Sequence, residues 1–349
     1  MAYCEQRIIS NYRRLSMTNI NKISILYLAK YAPDFLDQEI PKNINDVVYA
    51  EYHKKIYEIL RKNFDMVISS RDPGKLLNLD NSVDYIFSLY NKFDIRNSEI
   101  FVSTLAEYHK IPYLGATPNI RALAEDKHLA KMLAKHAGIP TAKWQVYNVH
   151  DPLIAPNFEP PFFVKPRFGA ASVGIDESSI CDSWFEATEK IKKFYKEETE
   201  VILEQQLKGI YYTCPVLNNF DSPIFLTPIK ETSILKDNVV TYEQKRKITG
   251  GLDRVISFDK DINQAMLSYS KKIFSLVQPL DYTRFDFIVD DLGTPYFLEF
   301  NVCCNLGEKS TVAQSALHSN ISYEDLLLNI VYSSLFRQNV ISETFNKKL

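Results

Sequence analysis

Cysteine is scarce in this chain: there are five in 349 residues, at Cys4, Cys181, Cys214, Cys303 and Cys304. No spacing among them suits zinc, and the adjacent pair is no disulfide framework. Reduced thiols and a cytoplasmic location are therefore expected. Long apolar runs are missing; none approaches a membrane span. Surplus charge is nearly absent, and a formal net charge of −2 gives no basic field for nucleic acid or an anionic membrane. The start, MAYCEQRIISNYRR, lacks the apolar core and cleavage site of a signal peptide. No Gly-rich dinucleotide fingerprint follows the first predicted strand, which argues against NAD. Repeats and low-complexity segments are absent too. What is present is ordinary soluble material, 46% hydrophobic and 24% charged, in a chain long enough for two or three lobes.

The first third alternates strands and helices. Ile23–Leu28, Met66–Ser69 and Asp84–Tyr90 read as strands, and Ile111–Leu114 as a fourth. Val48, Tyr52, Ile56, Ile59 and Leu60 recur at helical spacing, and Glu99–His109 reads as a helix, so a parallel α/β layer is predicted. Gly115 and Pro118 mark its exit. Asp126 then reads as an N-cap and Lys127 opens a helix with a predicted buried stripe of Leu129, Met132, Leu133 and His136. After a proline-rich connection over 151–161 come a strand at Phe162–Val164, a helix over Asp182–Lys196 and strands at Val201–Glu204, Tyr212–Val216 and Ile224–Ile229. Thr241–Gly251 reads as a loop and Asn263–Val277 as a helix, and Ser322 with Asp325 opens a last helix.

Three stretches carry candidate chemistry. In Tyr282–Thr311, two strands flank the turn Asp290-Asp291-Leu292-Gly293. Alternation puts Phe285, Phe287 and Val289 on one face and Arg284, Asp286 and Ile288 on the other. In the return strand, Phe297, Glu299 and Asn301 are expected to share a face. In register, Asp286, Glu299 and Asn301 form an all-oxygen set suited to Mg²⁺, or else a solvated polar edge. Lys165 ends an apolar strand before Pro166 and the small-residue loop Gly169–Gly174, where an ammonium and backbone N–H groups can face phosphate oxygens. Lys127 sits against the helix dipole and calls for a nearby anion, either phosphate or an acidic side chain. In Tyr90–Glu99, Arg96, Asn97, Ser98 and Glu99 cluster where a predicted strand gives way to a helix. Ser98 is positioned to cap that helix, Arg96 to grip a carboxylate and Glu99 to hold an ammonium; the alternative is a polar helix start with a surface ion pair.

Taken in order, Asp126-Lys127, Phe163-Val164-Lys165-Pro166, Ser172-Val173-Gly174, Leu203-Glu204, Arg284-x-Asp286, Glu299-x-Asn301 and Gly307-Glu308-Lys309-Ser310 resemble the ATP-grasp ligases, in particular the D-alanine–D-alanine ligase family. The resemblance covers about residues 84–311. It implies an α/β ATP-grasp fold with an N-terminal Rossmann-like lobe over 1–118, a central ATP-grasp subdomain over 119–208 and a C-terminal one over 209–349. By it, Lys127, Lys165 and Ser172 would face ATP phosphates, with Glu204, Gln206 and Leu207 along the adenine. Tyr211 stands at the ribose-binding position. Asp286, Glu299 and Asn301 would hold two Mg²⁺, with Mn²⁺ as a substitute. Arg284 would stabilise an oxyanion, Ser310 would lie near a substrate carboxylate, and Lys245 in the mobile loop would close on the γ-phosphate.

Several positions depart from the family pattern. Tyr211 replaces the ribose-binding acid, Arg246 the tyrosine after the loop lysine, and Cys304-Asn305 the usual Pro-Gly. The N-terminal Gly-rich motif with its glutamate is absent near Ala29–Glu39. The resemblance therefore implies an ATP-dependent ligase joining a carboxylate to an amine through an acyl phosphate, on small amino-acid-like substrates other than D-alanine. A different acceptor (thiol, hydroxyl or carboxylation) and a catalytically silent nucleotide-binding protein are the alternatives, and a homodimer is left open.

Overall fold

The computed structural model describes residues 17–33, 44–79, 82–91, 93, 95–169, 174–220, 222–233 and 252–341. The first sheet is parallel, in the order β2 (Met66–Ser70), β1 (Ser24–Leu28), β3 (Tyr85–Ser88). β1 is buried on both faces, which is why SILYL reads as a continuous apolar run. Helices α1 (Ile44–Asn63) and α2 (Ile100–His109) follow β1 and β3. The strand expected at Ile111–Leu114 is only a bridge from Tyr113 to Ile86, since Pro112 has no N–H to extend a ladder.

Helices α3 (Pro118–Glu125) and α4 (Lys127–His136) lead into an antiparallel sheet. Its order is β4 (Trp144–Tyr147), β7 (Val201–Gln205), β5 (Phe162–Pro166), β6 (Ile180–Cys181), with α5 (Trp184–Lys196) against it. The third sheet, also antiparallel, is built from β8 (Ile210–Leu217), β9 (Ile224–Phe225), β10 (Ile229–Ser233), β11 (Leu252–Ile256), β12 (Tyr282–Val289) and β13 (Pro295–Asn301). Its order is β11-β10-β8-β12-β13, with β9 on β8. The single strand expected over Ile224–Ile229 is thus two, parted at Pro228. Helix α6 (Lys260–Leu276) packs on this sheet, while α7 (Thr311–His318) and α8 (Tyr323–Arg337) carry the chain back toward the first one.

The apolar cores cut across chain order. One joins Ile25, Tyr27 and Phe87 of the first sheet to Leu327, Val331 and Leu335 of α8. Another joins Ile120, Ala130 and Ala134 of α3 and α4 to Phe285, Phe287, Phe297 and Phe300 of the third sheet. A part-buried ion pair also ties the end of α8 to the turn after the first sheet. Arg337 Nε donates to Asp281 Oδ1 at 2.7 Å, and Asp281 Oδ2 accepts the Gly115 N–H at 2.6 Å.

The face that α4 buries agrees with the predicted stripe only at Leu133, which is half-buried against the core. Leu129 and Met132 are exposed, as is His136, while Lys127, Ala130, Lys131 and Ala134 face inward. Two alanines let the helix lie close on β13, and the bulkier stripe does not fit there.

Candidate active site

Local sequence places Lys127 and Lys165. Asp126 caps α4 by accepting the His128 and Leu129 N–H groups, and its carboxylate also takes Arg167 in a paired contact, Nε–Oδ1 3.0 Å and Nη2–Oδ2 2.7 Å. Arg167 and Gly169 directly follow β5, and the Lys127 N–H bonds the Arg167 carbonyl. The start of α4 is thereby stitched to the end of β5. Lys127 Nζ donates to the Gly169 carbonyl at 2.7 Å, and Lys165 Nζ to Glu204 Oε2 at 3.1 Å. Burial alone would push the Glu204 carboxyl up, but Lys131 and Lys165 together hold it below the usual range. A narrow cleft, about 890 Å³ of unfilled space counting its mouth, gathers Lys127, Lys165, Glu204, Gln206, Leu207 and Tyr211 with Asp286 and Glu299.

The β12–β13 hairpin is the cleft's far wall. Asp286 stands opposite Glu299, and Arg284 opposite Asn301. The expectation that Phe297 shares the face of Glu299 and Asn301 is corrected by a bulge. Phe287 pairs with Phe297 directly after the Asp286–Glu299 pair, so Leu298 is an extra residue. The bulge turns Phe297 into the core with Phe287 and sends Leu298 and Glu299 to the cleft. Asp286 Oδ2 accepts Arg284 Nη2 at 2.9 Å and Asn301 Nδ2 at 3.2 Å, and its Oδ1 accepts the Thr213 hydroxyl at 3.1 Å. Among the described residues no three acids, histidines or cysteines gather, so a cation here would rest on two carboxylates and a carboxamide. Those hard oxygens fit Mg²⁺. Arg284 Nε is buried and has no hydrogen-bond partner among the described residues.

Further along the same face of the hairpin, Arg284 and Asn301 line a wider cavity of about 2260 Å³ of unfilled space, open to solvent. Tyr49, Tyr52, Tyr90 and Tyr323 line it too, with Glu99, Cys303, Cys304 and Ser310. Ser310 caps α7 by accepting the Ala313 N–H at 3.1 Å. Glu99 is buried, and burial, reinforced by Glu125, pushes its carboxyl up to about 7. Ser98 does not cap α2: its hydroxyl donates to the Asn91 carbonyl, because the chain at 95–99 makes a turn that leaves Glu99 at the cap position. Asn97 adopts a left-handed conformation in that turn (φ 54°). Arg96 lines neither cavity; it lies over the Phe168 ring and pairs with Glu200 at 2.6 Å. Ser172, Lys245 and Arg246 lie outside the described residues, as do the expected loop at 241–251 and the tail 345–349.

A family model described as D-ala D-ala ligase C-terminus matches residues 133–332, more than half of the chain. The chain belongs to the D-alanine–D-alanine ligase family. Similar curated proteins include D-alanine–D-alanine ligases of Clostridium beijerinckii, 25% identical over 304 residues (86% of this chain, 95% of that protein), and of Clostridium perfringens, 26% identical over 296 residues (83% and 91%). The fold is similar to a crystal structure of D-alanine–D-alanine ligase from Bacillus anthracis complexed with ATP. That match has a TM-score of 0.71 at 18% identity and covers 90% of this chain and 98% of the other. This D-alanine–D-alanine ligase family member is accordingly an ATP-dependent carbon–nitrogen ligase with an ATP-grasp fold. No described helix is long and apolar enough to cross a membrane.

Sequence reading of this family member missed three features of the site. Lys131 is fully buried beside Glu204, four residues from Lys127 on the same helix face. Arg121, also buried, donates to Cys303 Sγ at 2.6 Å and to the carbonyls of Ala116 and Leu114. Arg254 on β11 pairs with Glu231 on β10 at 2.6 Å, between the two cavities. The helical spacing of Lys127 and Lys131 was a usable signal; the other two pairings join residues with no local pattern.

Proposed function

We propose that this enzyme joins a carboxylate to an amine through an acyl phosphate, on amino-acid-like substrates other than D-alanine. The observation that carries the reading is one shared wall: the hairpin presents Asp286 and Glu299 to the lysine-lined cleft, and Arg284 and Asn301 to the wide cavity. On this reading ATP occupies the cleft, phosphates toward Lys127 and Lys165 and adenine along Glu204, Gln206 and Leu207. Asp286, Glu299 and Asn301 would hold Mg²⁺, or Mn²⁺ in its place, and the bound ion supplies positive charge to phosphate oxygens. The substrate carboxylate attacks the γ-phosphorus and ADP leaves. The amine nitrogen then attacks the acyl carbon, a C–N bond forms and the C–O bond to phosphate breaks. The chain supplies no covalent nucleophile; it positions the reactants and stabilises charge. The Nε of Arg284, without a partner among the described residues, is a donor for the oxyanion of the tetrahedral intermediate. Ser310 is suited to donate its hydroxyl to a substrate carboxylate. The three lobes, 1–118, 119–208 and 209–349, belong to the same proposal, as do the roles given to Ser172, Tyr211 and Lys245 and a substrate-binding role for Arg246.

The relatives above are named for D-alanine. The lost Gly-rich motif and Cys304-Asn305 support a different substrate, as do the tyrosines of the wide cavity, whose faces a methyl side chain does not use. The test is ADP release with ATP, Mg²⁺ and pools of amino acids. ADP that requires both an acid and an amine supports the ligase reading. Turnover on D-alanine alone as fast as on any pool refutes the substrate part, and ADP from a single acid substrate favours another acceptor.

A further inference from the structure

Lys131 has no exposed surface and its ammonium faces only the interior of the protein. Nζ lies 3.3 Å from Glu204 Oε1 and donates to the Thr141 hydroxyl at 2.8 Å. That hydroxyl in turn donates to the Phe297 carbonyl at 2.8 Å, which anchors the arrangement to β13. The second Glu204 oxygen accepts Lys165. A fully buried lysine is rare and costly, and one beside a second lysine more so. The groups that face it are Glu204 from β7, Lys165 from β5 and Glu299 from β13, with the Trp144 ring 5.6 Å away. Burial pushes the Lys131 ammonium down to about 8, while Glu204 holds it up.

Two ammonium groups and one carboxylate leave this trio with a surplus of one positive charge. Without Lys131, Glu204 would cancel Lys165, which lines the cleft beside Lys127. We propose that Lys131 is a positioning residue whose charge balances the Glu204 carboxylate, so that the charge of Lys165 remains available to a nucleotide's phosphates. The inference rests on the reading of the cleft as the ATP site. It adds to that reading a residue that touches no substrate but sets the charge of one that does.

The test is direct ATP binding, by calorimetry with Mg²⁺ present, to the full chain and to K131M and K131M/E204Q. K131M is expected to weaken ATP about tenfold or more, the loss of a charge-assisted contact. K131M/E204Q is expected to bind ATP more tightly than K131M, because a neutral carboxamide in place of the Glu204 carboxylate no longer captures Lys165. A merely structural role predicts the opposite, since a second core change would add damage. Equal affinities for wild type and K131M, or a double variant no better than K131M, would overturn the proposal. Should K131M not fold, the wild-type chain and K131R supply the result. Wild-type affinity is expected to fall between pH 7 and pH 9 as Lys131 loses its proton, and that of K131R to change less; parallel profiles overturn the proposal. A wild-type chain that binds no ATP would overturn the reading of the cleft and this inference with it.

Discussion

Replacing Glu99 by Gln converts a buried, ionisable wall of the wide cavity into a neutral one of the same shape. Burial is the main reason the Glu99 carboxyl sits at about 7 rather than 4.5; the neighbouring Glu125 adds to it, and Arg121 only partly offsets it. Between those two pH values the folded chain holds a proton that the unfolded chain releases. Raising the pH through the window therefore favours unfolding: the stability tied to the protonated form is present below 4.5 and lost by 7. At about 1.4 kcal/mol per pH unit, the interval amounts to about 3 kcal/mol. Glu99→Gln has no proton to lose, so relative to wild type it should gain about 2–3 kcal/mol between pH 4.5 and pH 8. Urea denaturation followed by circular dichroism at both pH values measures this difference, and subtracting the two proteins cancels every other titrating group. Parallel pH dependence in wild type and variant would refute the reasoning, because it would mean that Glu99 is solvated or paired well enough to ionise normally.

Other changes probe the rest of the site. Glu299→Gln should lower ADP release at least about a hundredfold and leave the circular dichroism spectrum intact; activity within a few-fold of wild type with unchanged Mg²⁺ dependence would discard the ligand assignment. Burial pushes both thiols up, that of Cys303 well above the usual range and that of Cys304 to about 12. Both should stay unmodified by iodoacetamide at neutral pH in the folded chain; if a Cys303→Ser, Cys304→Ser double variant loses activity to mild oxidant as wild type does, these thiols are no redox switch. Gly209→Ala would place a Cβ 2.1 Å from the Val289 carbonyl oxygen, and the melting temperature should report a loss of about 3 kcal/mol. Arg96→Ala removes an ion pair whose arginine is 62% exposed. It should cost under about 1 kcal/mol and leave every substrate KM within about twofold, so a tenfold rise in one KM would return Arg96 to the substrate site.

The sequence alone determined what depends on neighbours along the chain. Strand periodicity separated Phe285, Phe287 and Val289 from Arg284 and Asp286, and the Asp126 cap with Lys127 was legible because capping is a contact within one turn. The parallel first layer followed from alternating elements. Tertiary structure decided what depends on a partner. The Leu298 bulge exists only against β12, so a strict period of two misplaced Phe297. The buried face of α4 was chosen by the space above β13, which admits Ala130 and Ala134 and leaves Leu129 and Met132 in water. Lys131 beside Glu204, and Arg121 beside Cys303, join residues 73 and 182 positions apart, and no local pattern records such a pairing. Arg96 turned toward Glu200 for the same reason: a guanidinium goes to whichever carboxylate the fold brings within reach, and the fold is settled by burial of the apolar cores rather than by the polar cluster around it.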